Sequence, residues 1–137
     1  MGLYLCVFEK DEELEGVEVG SYSDFEFFRS SVTNYLEGGV VGNKFPILLS
    51  HPDSDGEWTA DDCQRLKEEL SEIADRFKQF PPIPFGAEWQ QQVSDFFGLN
   101  LSSLYDSFID VDGEPLLERL IQLCNVATEH DCPIIFQ

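Results

Sequence analysis

The first residues form an unbroken apolar run. Leu3, Leu5 and Val7 fall on one side and Tyr4, Cys6 and Phe8 on the other, so both faces are apolar. That pattern predicts a central strand covered on both sides. Glu9 to Gly20 is acidic and reads as a loop, with Gly16-Val17-Glu18-Val19-Gly20 as one short edge strand. Ser23-Asp24-Phe25-Glu26 has the form of a capping box and opens a helix. Phe25, Phe28, Val32, Tyr35 and Leu36 recur at helical spacing, and Gly38-Gly39 ends the run.

The stretch Phe45-Pro46-Ile47-Leu48-Leu49-Ser50 predicts a buried strand, followed by a tight turn at Ser54-Asp55-Gly56. Thr59 is the expected N-cap of a long helix reaching about Gln79, with Asp61 and Asp62 at the positive end of its dipole. Cys63, Leu66, Leu70, Ile73, Phe77 and Phe80 form its buried stripe; Arg65 with Glu69 and Glu72 with Arg76 stand at i,i+4 outside. Pro81-Pro82-Ile83-Pro84 is a stiff connector. Two short helices follow, Glu88 to Phe97 carrying Trp89, Val93, Phe96 and Phe97, and Leu101 to Ile109 carrying Leu104, Tyr105 and Phe108. Pro115 begins a last helix buried through Leu116, Leu117, Leu120, Ile121 and Cys124, and Pro133-Ile134-Ile135-Phe136 closes the chain as a strand. Together these elements imply an α/β or α+β sandwich: a small mixed β-sheet packed by amphipathic helices, one domain over 1–137, its strand order open.

Composition excludes a disordered acidic tail, since 42 % of residues are hydrophobic and twelve are Phe. Charge changes the picture more. Eight Lys and Arg against 27 Asp and Glu give −19, which repels nucleic acid and anionic membrane and complements a basic partner. Met1 to Phe8 has no basic leading segment and runs into charge, unlike a signal peptide, and no apolar run is long enough for a bilayer. A soluble, cytoplasmic protein is therefore expected. Cys6, Cys63, Cys124 and Cys132 lie scattered in patterned segments and read as reduced core thiols; no Cys-x-x-Cys spacing supports zinc.

Three kinds of chemistry are open to these residues. Asp53-Ser54-Asp55-Gly56-Glu57 and Asp110-Val111-Asp112-Gly113-Glu114 both resemble part of a calcium loop, but His51 and Phe108 occupy the first ligand position and Asp62 and Arg119 the twelfth. A turn and helix start is the favoured reading, with no metal and no cofactor. His51 with Asp53 and Asp55 is the best constellation for a carboxylate-based or metal-dependent hydrolase, yet no nucleophile or phosphate-binding motif accompanies it. A binding surface of carboxylates and aromatics is the third candidate. Its members are Asp53, Asp55, Glu57 and Trp58, Tyr22, and Glu12, Glu13, Glu15 and Glu18 of the acidic loop. Against it stands the reading that Trp58 staples the long helix to the core and the carboxylates only cap helices.

Gly2-Leu3-Tyr4-Leu5-Cys6-Val7-Phe8, the stretch from Leu14 to Tyr22 leading into Asp24-Phe25, and Phe45-Pro46 through His51 to Asp53-Ser54-Asp55-Gly56-Glu57-Trp58 resemble the immunity protein 70 family of bacterial polymorphic-toxin systems. The resemblance covers roughly the first two thirds; from Pro81 onward it adds only the closing Pro-Ile-Ile-Phe. It implies a small cytoplasmic protein that binds and blocks a cognate toxin, and it carries no catalytic residues. The charge adds the expectation of a basic, nuclease-type toxin.

Overall fold

The computed structural model describes residues 2–40, 42, 44–51 and 56–137. Strands β1 (Leu3–Glu9) and β2 (Glu12–Gly20) form a hairpin. Helices α1 (Tyr22–Leu36) and α2 (Pro46–Leu49) precede a two-residue strand β3 (Glu57–Trp58). Then come α3 (Ala60–Phe77), α4 (Glu88–Phe97), a 3-10 turn over Leu104–Ser107, α5 (Leu116–His130) and β4 (Ile134–Phe136). The sheet runs β2-β1-β4-β3 and every pair is antiparallel, which makes the fold α+β. The closing strand lies inside the sheet, between β1 and β3.

Alternation along the strands divides the sheet into two faces. Leu5 stands opposite Phe136, and Val7 opposite Ile134, which in turn faces Trp58. With Leu3, Val17 and Val19 these residues join Phe25, Phe28, Leu66, Leu70, Ile73, Leu117 and Leu120 in one core. The helices α1, α3 and α5 thus bury the Leu3, Leu5, Val7 face.

Several sequence expectations need correction. The acidic stretch is no loop: Glu12–Gly20 is a nine-residue strand joined to β1 by a two-residue turn, with Lys10 at a φ of 55°. Its pairing slips by one residue between Val7 and Phe8, so Leu14 is skipped. The capping box of α1 starts two residues early, at Ser21, whose hydroxyl accepts from the Asp24 amide while Asp24 accepts from the Ser21 amide. Phe45 to Ser50 is not a strand. Pro46–Leu49 is a helical turn fixed from outside: Glu69 of α3 accepts from the amides of Ile47 and Leu48, Arg29 of α1 donates to the carbonyls of Leu48 and His51, and Trp58 Nε1 donates to the carbonyl of Ile47. Glu69 is therefore not a solvent-side partner for Arg65, which pairs instead with Asp62 at 3.3 Å. The helix expected over Leu101 to Ile109 shrinks to the 3-10 turn, because the Leu104 amide donates to the Phe80 carbonyl and Ser107 Oγ accepts from the Ile83 amide.

Other expectations hold. Thr59 caps α3 in a reciprocal box with Asp62, and Cys63, Leu66, Leu70, Ile73 and Phe77 are buried, with Ala74 beside them. All four cysteines are free thiols, and Cys6, Cys63 and Cys124 are buried.

Candidate partner-binding surface

The hairpin register decides which carboxylates share a face. Tyr4 is opposite Glu18, Phe8 opposite Glu13, and Ile135 opposite both Cys6 and Glu57. Glu13, Glu18 and Glu57 therefore stand on the face away from the helices. They are exposed, and between them Tyr4, Phe8 and Ile135 are only half-buried. Three of the residues singled out in the sequence come together there, around an apolar centre. Glu12 lies at the exposed end of the same hairpin, opposite Glu9.

The skipped Leu14 sends Glu15 to the opposite side. Its carboxylate is 3.5 Å from Arg119 of α5, which also donates to the Gly16 carbonyl at 2.9 Å. Glu15 thus has an ion-pair partner within the fold, one that it shares with Asp110, and the open edge of β2 is partly closed by Arg119 and by the Val111 amide, which donates to the Glu18 carbonyl. Trp58 is 2 % exposed and points into the core, where its ring meets Phe136 edge-on at 4.8 Å. The stapling role is the one its geometry supports; its ring is not at the surface. Tyr22 is half-buried at the start of α1 and packs against the core. Asp53 and Asp55 lie outside the described residues, and with them the first calcium-like loop.

His51 is built into the fold. Its ring stacks on Phe136 at 4.4 Å, and its Nε2 lies 2.8 Å from the Glu57 carbonyl. A carbonyl only accepts, so Nε2 carries the proton. The second calcium-like loop is an Asx turn: Asp110 Oδ1 accepts from the amides of Asp112 and Glu114, and Oδ2 from Arg119 Nε. Among the described residues no group of three His, Cys, Asp or Glu is placed to hold a metal ion, and no described helix is long and apolar enough to cross a membrane.

Tyr4 reports on the open face directly. Its hydroxyl donates to Glu13 Oε1 at 3.0 Å and lies over Gly16, where an added methyl would stand 1.9 Å away. Burial, then the bond to Glu13 and its charge, push the phenol up to about 12. A folded pKa above the unfolded one means that this contribution to stability is complete below the unfolded value near 10 and is lost as pH rises through about 12. Glu13→Gln should bring the Tyr4 titration down, as followed by tyrosinate absorbance; an unmoved titration would refute the contact.

Half-buried aromatic and aliphatic side chains edged by carboxylates on an uncovered sheet have the make-up of a protein-binding surface. The chain belongs to the Immunity protein 70 family, which it matches over residues 3–136. The match continues through α4, α5 and β4, well past the part in which the sequence alone showed the resemblance. No curated protein and no solved structure matches the chain.

Proposed function

We propose that this immunity protein neutralises a cognate toxin by binding it without turnover, in the cytoplasm of the producing cell, and that the toxin is a basic, nuclease-type effector. Family membership across residues 3–136 is the observation that carries the reading. The net charge of −19 supports a basic partner, because carboxylates speed encounter with a cationic surface and compete for groups that would bind nucleic acid. Glu13, Glu18 and Glu57 supply paired charge on the open sheet face and Glu12 extends it along the hairpin; Asp53 and Asp55, outside the described residues, are further contacts in this reading. Tyr4, Phe8 and Ile135 supply the desolvated centre. Trp58, Glu15 and Tyr22 serve the same surface from beneath, by fixing β3, β2 and the start of α1.

The test is affinity for the polypeptide encoded beside this chain. Reversing Glu13, Glu18 and Glu57 to Lys should leave the fold intact and lower affinity at least tenfold, mostly through slower association, with a weaker dependence on salt. Unchanged affinity would remove the sheet face from the interface while leaving the family assignment standing.

A further inference from the structure

The apolar stripe of α4 runs off the body of the protein. Trp89 is held at its start, with Nε1 donating to Asp24 at 2.9 Å, while Gln90 and Ser94 take the buried positions of the helix. At the other end Phe96 is 82 % and Phe97 55 % exposed, their rings edge-on at 5.0 Å. The helix then stops at Gly98, in the left-handed conformation with a φ of 65°. Two adjacent aromatic rings left in water at a helix end have no role in this core.

What lies beside them is a carboxylate-lined hollow. Phe97 rests on the Asp110 turn: a methyl built on Gly113 would stand 3.0 Å from its ring and 3.2 Å from Val93. Gly113 also lines a cleft of about 250 Å³ with Leu99, Asn100, Asp106 and Glu114. Asp95 on α4 and Asp112 and Glu114 in the turn are exposed, and between Lys78 and Arg119 the sequence has no Lys, Arg or His. The same turn reaches the edge of β2, beside the open sheet face, since the Val111 amide donates to the Glu18 carbonyl at 3.1 Å.

We infer that Phe96 and Phe97 are the apolar anchor on which the toxin docks, with a Lys or Arg side chain of the toxin entering the cleft between Asp106 and Glu114. The inference rests on the immunity reading and extends its surface past Glu18 onto α4. Charge selects the occupant. A second copy of this chain would bring Asp95, Asp112 and Glu114 against their own kind, whereas a basic partner meets both the rings and the carboxylates.

The experiment measures binding of the purified polypeptide encoded beside this chain to the wild type, to Phe96→Ser/Phe97→Ser and to Asp112→Lys/Glu114→Lys. Circular dichroism verifies the fold, and sedimentation gives the oligomeric state. The aromatic variant should bind about 30-fold more weakly or worse and the charge variant about tenfold more weakly, both remaining folded. Phe96→Ser alone, at the most exposed position, should account for several-fold of the loss without touching Gly113. Affinity within twofold of wild type in both double variants overturns the anchor while leaving the immunity reading intact. A wild-type dimer that the aromatic variant converts to monomer assigns the rings to self-association and overturns it as well. Failure of the wild type to bind that polypeptide overturns the immunity reading, and this inference with it.

Discussion

Removing residues 134–137 should abolish the folded state. The segment is an interior strand: Ile134 and Ile135 pair with Val7 and Cys6 on one side and with Trp58 and Glu57 on the other. Without it β3 loses its sheet neighbour and β1 its second partner, while Phe136 leaves the ring cluster it forms with Trp58, His51 and Phe25. Two buried apolar side chains of this size are worth roughly 5 to 10 kcal/mol together, against a total stability of about 5 to 15 kcal/mol for a typical domain. The truncated chain should show no cooperative thermal transition. A cooperative transition near the wild-type temperature would mean that β4 is an appendage and the sheet order is wrong.

Asp110→Ala should be the most damaging single substitution at a polar residue. Asp110 is 1 % exposed, and its carboxylate takes two backbone amides and the Arg119 guanidinium. Alanine leaves the amides of Asp112 and Glu114 without an acceptor and removes one of the partners of Arg119. The expected cost is about 3 kcal/mol, or on the order of 10 °C in Tm. Asp110→Asn keeps an oxygen for the two amides and should lose less. Because this turn seats Phe97 and reaches the Glu18 carbonyl, the alanine variant should also weaken toxin binding beyond its effect on stability. A Tm within 2 °C of wild type would show that the turn is held by something else.

The elements legible from sequence were those whose burial follows from their own periodicity. The stripe Cys63, Leu66, Leu70, Ile73, Phe77 and the Thr59 cap define α3 by local rules alone. The two-sided apolar run of Leu3 to Phe8 marks a strand interior to the sheet, but not one covered on both sides, since Tyr4 and Phe8 stay half-buried on the face away from the helices. The misread elements were decided by distant groups. Ile47, Leu48 and Leu49 look like a strand until Glu69, Arg29 and Trp58 supply the hydrogen bonds that a helical turn needs, and those partners lie 11 to 22 residues away. Glu12 to Glu15 looks like a loop because charge hides strand pattern on an uncovered face.

The proposed binding surface was half legible. Carboxylate clusters named Glu13, Glu18 and Glu57, but which of them converge depends on the skipped Leu14, and that slip is not written in local propensity. Phe96 and Phe97 were missed because helical spacing places an aromatic stripe inward by default. Nothing in the sequence says that the body ends before the stripe does.

Neutralisation by binding is tested most directly by co-expression of this chain with the polypeptide encoded beside it in a host that has neither. That polypeptide alone should arrest growth; with this chain present growth should be restored, and the two should purify as a stoichiometric complex released only at high salt. Arrest that persists in the presence of folded wild-type protein, or rescue without any complex, would contradict the account.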